Sequence, residues 1–437
     1  MIARHRKLLN DLGDAFWVIP GLMVLAGVVG AYVFVRIDHM QAAAQSLVED
    51  AWLYRGGPAG ARAVLGVIAS STIAVAGTVF SITIAALSLA SGQMGPRLLR
   101  NFTRDRGNQI TLGAFIGTFV YALLVLRTVR SPDEGEFVPH LSMTIAIVLA
   151  FVCVATLVWF VAHMAERINV DTVIDLVSCD VQAGIARLTV DTRPPQPPPT
   201  EFWRDAAPIL DRRCGYLQQL DTDSLADWAF ANHAALQLLV RPGDYVFPNT
   251  PIAVIKPRID GAGLAILQAT ALGAQRRGDV DLDYTVAQLV EVAVRALSSG
   301  VNDPQTAISV LDRLGSALCT LAGAQLANGV TAVHGRPVLV VPLIDYEGLV
   351  DAMLQMIRQN AAGRPPVLNK LLQVLTAVAG CERDPARVAI LRRHADRVMA
   401  DAERTVASPG DLEEVRRKHA KFITLANVGS VAAAVVG

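Results

Sequence analysis

The chain has 437 residues, 52% hydrophobic and 18% charged, and its 39 basic residues balance 39 acidic ones. Zero formal charge removes the electrostatic case for nucleic-acid binding, and the charge fraction lies below the quarter or so usual in soluble domains. The length allows about two or three folded units.

The shortage of charge is concentrated in residues 1–165, and ordinary composition begins at Glu166. A membrane part therefore precedes a globular part. About 20 apolar residues cross a hydrocarbon core. On that measure spans are predicted at 16–35, within 64–95, at about 109–126 and at about 141–165. The first follows Arg4, Arg6 and Lys7 as a signal peptide would. It is long enough to span and lacks a cleavage site, so it reads as a retained helix. The second belongs to a run of 32 positions without a charged side chain. As a helix it would measure about 48 Å against a core of about 30 Å, so it must tilt, project or break. Pro96 is its natural stop.

Basic residues in the flanks orient the spans. The N-terminal tail and the arginine-rich segment after Pro96 belong on the cytoplasmic side of the membrane, and so does everything after span four. Residues 166–200 form an amphipathic helix and a linker. Val170, Val173, Ile174, Val177, Val181, Ile185 and Leu188 fall on one helical face. Pro194, Pro195, Pro197, Pro198 and Pro199 then favour an extended spacer. Residues 201–262 read as a small β-containing module. Short apolar runs lie at 214–220, 235–240 and 251–255, and Arg241-Pro-Gly-Asp244 supplies a turn. Residues 263–437 read as a mainly helical cytoplasmic domain. The predicted fold class is an α-helical polytopic membrane protein with a mainly helical α+β cytoplasmic domain.

Three groups of residues are candidates for function. Thr78, Ser81, Ser88 and Gly92 share a narrow arc of span two with Ala74 and Ala85. Such a stripe lines a wet path or allows close helix packing through small residues. Arg97, Arg100, Arg104 and Arg106 form a basic segment. It either sets topology and meets lipid headgroups or gathers anions at a cytoplasmic mouth. In the tail, Glu291 and Arg295 form an i,i+4 pair, and Asp303 before Pro304 is a helix start. This segment is a helix–turn–helix or, with Arg276, Asp281 and Asn302, part of a ligand cluster. His140 and His163 read as interfacial. Cys153, Cys179, Cys214, Cys319 and Cys381 are scattered without a CxxC pair. No catalytic set, metal motif or cofactor fingerprint is found. The Arg241 turn is similar to one in biotin- or lipoate-carrying barrels, but the carrier lysine is missing.

Phe80-Ser-Ile-Thr-Ile-Ala-Ala-Leu-Ser-Leu-Ala-Ser-Gly-Gln-Met-Gly-Pro-Arg-Leu-Leu-Arg-Asn-Phe102 resembles the predicted bacterial membrane proteins called domain of unknown function 2254. So do Arg104-Asp-Arg-Gly-Asn-Gln109, Gly113-Ala-Phe-Ile-Gly-Thr-Phe-Val-Tyr121, the Arg241 turn and the segment 295–307. Ser88, Ala287, Arg277 and Ser299 depart from that pattern. The resemblance implies a membrane domain followed by a cytoplasmic tail and supplies no activity. The expected function is an oligomeric channel or transport-related protein with a regulatory tail. The alternative is a membrane-anchored sensor or scaffold, and an enzyme ranks third. The expected partners are the lipid bilayer and further copies of the chain.

Overall fold

A computed structural model describes residues 15–44, 56–94, 105–131, 136–276 and 281–428. The chain divides into two compact units, one ending at Asn169 and the other beginning at Val170.

Among the described residues the first unit contains four helices long and apolar enough to cross a membrane. They are α1 (Val18–Ala44), α2 (Pro58–Met94), α3 (Arg106–Leu126) and α4 (His140–Ile168). Each overlaps one of the four predicted spans and is longer than it. α2 runs unbroken for 37 residues, so the long apolar run tilts or projects and does not break.

The closest pairing is between α1 and α3, and glycines explain it. A Cβ placed on Gly27 would lie 2.7 Å from the carbonyl oxygen of Gly117, and one on Gly117 would lie 3.0 Å from that of Met23. Small residues let two backbones touch where lipid offers no hydrophobic drive between helices. Tyr121, Ala122 and Val125 of α3 pack with Ala31 of α1 and Leu65 and Ile68 of α2. Ala76, Val79 and Ala86 of α2 pack with Phe115 of α3 and Cys153, Phe160 and Met164 of α4.

The second unit starts with the amphipathic helix α5 (Val170–Leu188). Val173, Ile174, Val177, Val181 and Ile185 are buried on one side of it, as the periodicity predicts. This face packs within the second unit, and Asp175 accepts a 2.6 Å hydrogen bond from Arg313 Nε. The proline stretch that follows is tied down at Pro195, whose carbonyl accepts from Asn328 Nδ2 at 2.6 Å.

A five-stranded sheet has the order β2–β6–β4–β10–β9. Its strands are β2 (Ala207–Asp211), β6 (Thr250–Lys256), β4 (Ala235–Leu238), β10 (Arg336–Val340) and β9 (Val330–Val333). β10 lies parallel to β4, and the other neighbours are antiparallel. The β module therefore draws strands from both sides of residue 262. Helices α6 (Thr222–Ala231) and α7 (Ala262–Ala269) share the core of this sheet through Leu225, Ala229 and Ile266. A second sheet runs β5–β3–β7, from Tyr245–Val246, Gly215–Leu220 and Thr270–Gly273, and β1 (Thr189–Val190) pairs antiparallel with β8 (Gln325–Leu326).

Six helices make up the rest. They are α8 (Leu282–Ala296), α9 (Pro304–Leu321), α10 (Tyr346–Asn360), α11 (Pro365–Cys381), α12 (Pro385–Thr405) and α13 (Pro409–Val428). Leu289, Leu311, Leu314, Leu318, Leu349, Met353, Leu371 and Leu375 fill their common core.

Candidate functional site

α2 carries the hydroxyl stripe. Thr78 donates to the Ala74 carbonyl at 3.1 Å and Ser81 to that of Gly77 at 2.9 Å. Such i−4 bonds satisfy a hydroxyl within its own helix. Thr78, Ser81, Ser88 and Gly92 are exposed, whereas Thr72, Ala76, Val79 and Ala86 are buried. At 100° per residue the two groups lie on opposite sides of the helix, about 180° apart. The stripe therefore faces away from the chain's own bundle. Ile82 and Leu89 border it on one flank and Ile73, Phe80 and Ile84 on the other, all of them exposed.

Of the basic segment, Arg97, Arg100 and Arg104 lie outside the described residues. Arg106 opens α3 and is exposed. Residues around it build a polar cluster; the motif at 104–109 and His163 were visible in the sequence separately, but not their meeting. Asp105 caps α3, accepting from the Gly107 backbone at 3.0 Å. Its other oxygen lies 2.7 Å from His163 Nε2 and 3.6 Å from Arg167 Nε, both on α4. Trp159 stacks on His163 with ring centroids 4.8 Å apart. Gly107 fits because a Cβ there would sit 2.6 Å from His163 Nε2. Asn108 is 2% exposed, and neither its amide nitrogen nor its oxygen has a hydrogen-bond partner. A buried, unpaired polar atom costs about 1–3 kcal/mol, and Asn108 carries two. The signal available in the sequence was a run of polar residues, Asp105 to Gln109, at the mouth of an otherwise apolar helix.

In the second unit the six candidate residues fall into separate groups. Arg276 and Asp281 meet, with Nε–Oδ2 at 2.7 Å. Asp281 also caps α8 by accepting from the Tyr284 backbone at 3.0 Å. Glu291 and Arg295 pair along α8 at 3.4 Å. Asn302 takes a left-handed φ of 50°, and Asp303 caps α9 through the Gln305 and Thr306 amides at 3.1 and 3.2 Å. Asp281 and Asp303 stand at opposite ends of α8, which is about 22 Å long by its rise per residue. They do not share a pocket.

Arg241, Asp244 and Asp283 join Arg276 and Asp281. Pro242 and Gly243 occupy the middle of the turn, with φ +98° at the glycine and a 3.0 Å bond from Asp244 N to Arg241 O. Only glycine suits that φ, and a Cβ there would collide with the Asp281 carboxylate. The turn is thereby pressed onto the start of α8. Arg241 ion-pairs with Asp283, and Asp244 Oδ2 accepts from the Arg241 backbone at 3.0 Å. Burial pushes the Asp281 and Asp283 carboxyls above their usual range despite the neighbouring Arg276 and Arg241 guanidiniums. Among the described residues no group of three or more His, Cys, Asp or Glu side chains could hold a metal.

Four bilayer-length helices followed by a separate α+β unit define a polytopic α-helical membrane protein. The chain belongs to the family described as "Predicted membrane protein (DUF2254)", whose model matches residues 13–377. It is similar to the uncharacterized proteins Rv1290c of Mycobacterium tuberculosis and Mb1321c of Mycobacterium bovis. Each is 32% identical over 428 residues, covering 94% of this chain and 80% of the relative. No solved structure matches.

Proposed function

We propose that this protein is an oligomeric channel or transport-related protein of the bacterial inner membrane, with α2 nearest the assembly axis and the N-terminus and C-terminal unit cytoplasmic. The observation that carries this reading is the outward direction of the hydroxyl stripe. A helix surface that meets only lipid gains nothing from Thr78, Ser81 and Ser88, whereas a neighbouring copy or a hydrated path does. The Asp105–His163–Asn108 cluster adds polar groups where the adjoining α3 begins and near the end of α4, a place an entering ion or substrate would meet first. The basic flanks favour the orientation.

The test is thiol accessibility in a background without the native cysteines. In the assembled protein in lipid, Thr78→Cys, Ser81→Cys and Ser88→Cys should react with a charged, water-soluble reagent. Val79→Cys should stay protected, since Val79 is 2% exposed and on the packed side. Hydrocarbon delivers no charged reagent to mid-membrane, so reaction requires a hydrated path. Protection of all three stripe positions in well-folded protein would reject the channel reading. Reporter fusions after Asn108 and after Thr200 should read cytoplasmic, and an external reading at Asn108 would reject the orientation.

A further inference from the structure

The ends of α9 and α11 meet beside a cleft of about 940 Å³. A Cβ on Gly315 of α9 would lie 2.7 Å from Val374 Cγ1 of α11, so the two helices are in close contact there. Cys319 stands one helical turn after Gly315, and Cys381 two turns after Val374, which returns both to the contact faces. Their thiols lie within side-chain hydrogen-bonding contact of one another.

Arg387 clamps the same junction. Its Nη1 donates to the Leu321 carbonyl at 3.1 Å and its Nη2 to the Ala324 carbonyl at 3.0 Å. Nη1 also reaches Glu382 Oε2 at 3.3 Å, on the residue that follows Cys381. The backbone just past each cysteine is therefore held by one guanidinium, and the meeting of the two thiols is preorganised.

The two thiols differ in access. Cys381 is exposed and lines the cleft together with Ala322 and Arg383, whereas Cys319 is partly covered. Burial, with Cys381 beside it, pushes the Cys319 thiol up to about 11. The thiolate is the nucleophile, so Cys319 is a poor first attacker at neutral pH. It is well placed as the second, because it is held next to its target.

We propose that Cys319 and Cys381 form a modification site for hydroperoxides, in which Cys381 takes the oxidant from the cleft and Cys319 closes a disulfide joining α9 to α11. In the first step the Cys381 thiolate attacks an oxygen of hydrogen peroxide. An S–O bond forms, the O–O bond breaks, and hydroxide leaves, taking up the proton that Cys381 released. In the second step Cys319 Sγ attacks the sulfenic sulfur of Cys381. The S–S bond forms, the S–O bond breaks, and the Cys319 proton departs with hydroxide as water. The thiol pair is oxidised by two electrons, and one hydrogen peroxide is reduced to two waters. The inference goes beyond the transport reading and does not rest on it, since every group named belongs to the second unit.

The experiment uses the reduced full chain in lipid nanodiscs. It is treated with hydrogen peroxide, the remaining thiols are alkylated, and the protein is digested for mass spectrometry. A disulfide-linked peptide pair carrying Cys319 and Cys381 should appear, and dithiothreitol should remove it. In Cys319→Ser, Cys381 should stop at the sulfenic acid and be trapped by dimedone. In Cys381→Ser, Cys319 should stay reduced under the same treatment. Absence of the linked pair in the native chain, with both thiols still alkylated, overturns the proposal without recourse to either variant. So does a disulfide that draws in the exposed Cys179 or Cys214 in place of either partner, or a sulfenic acid on Cys319 in Cys381→Ser. Thiol accessibility on α2 is measured without the native cysteines, so failure here leaves the channel reading where it stood.

Discussion

Asp38, near the end of the first span, caps the helix that begins 102 residues later at His140. Its carboxylate accepts from the Leu141 amide at 2.9 Å, the Ser142 amide at 3.0 Å and the Ser142 hydroxyl at 2.6 Å. Two otherwise orphaned amides of α4 are thereby satisfied, and a negative charge sits at the positive end of the helix dipole. Tyr121 closes the group by donating to the Ser142 carbonyl at 3.1 Å. Asp38→Ala should destabilise the detergent-solubilised protein by about 3 kcal/mol, because it strands buried donors. Asp38→Asn should recover part of that loss. A thermal unfolding series on the three proteins checks the order.

Glycine substitutions should divide by what a side chain would meet. Gly27→Ala forces a methyl group to within 2.7 Å of the Gly117 carbonyl and should cost about 1–3 kcal/mol through overpacking. Gly77 on α2 has nothing within 4 Å of the same position, so Gly77→Ala should be neutral or stabilise by up to about 1 kcal/mol. Unfolding in a graded detergent series compares the two. Equal effects would mean that the α1–α3 contact is looser than it looks.

Asp303→Ala should lower stability by about 1 kcal/mol through loss of the α9 cap. The hydroxyl of Thr306, 2.6 Å from Asp303 Oδ2, loses its acceptor as well. The shift should appear in the denaturant midpoint of the C-terminal unit within the full chain. An unchanged midpoint would show that Asn302, with its left-handed backbone, sets the turn without the carboxylate.

His394 gives the second unit a pH dependence of known sign. It is 3% exposed on α12, with Nε2 3.2 Å from Asp351. Burial holds its pKa below the ordinary value, and Arg397, Arg358 and Arg393 add to the effect while Asp351 opposes it. The unfolded chain therefore takes up the proton first, near pH 6.5. Stability is full above that value and is lost as pH falls toward the folded pKa. The slope from this one group can reach about 1.4 kcal/mol per pH unit. Replacing it in His394→Asn should flatten the wild-type decline between about pH 6.5 and 5.

The spans were legible because membrane length and missing charge are additive signals read over a whole segment. The helical character of the second unit was legible for a related reason, since apolar periodicity runs over whole segments and Asp303 before Pro304 announces a helix start. Other features depend on contacts distant in sequence. Asp38 reads as a loop charge until α4 arrives beside it, and α6 and α7 are too short for a clear period. The parallel pairing of β4 with β10 leaves no local mark at all. The charge cluster at Asp283 was half visible, because Arg276 and Asp281 were candidates and the Arg241 turn had been read as a turn. Only tertiary folding brings that turn beside them, and Asp303 leaves because α8 separates its two ends.

The pairing of β4 with β10 has a consequence for synthesis. On the ribosome, β4 emerges about 100 residues before the strand that will cover its open side. At about 5–20 residues per second that interval is roughly 5–20 s. During it Leu236 and Leu238, which end fully buried, sit in a strand with an unpaired edge, the kind of surface on which nascent chains stick to one another. The second unit thus depends on its own late-arriving segment as a cover. Truncations ending between β9 and β10 should aggregate, whereas those extending past Val340 should have the sheet complete.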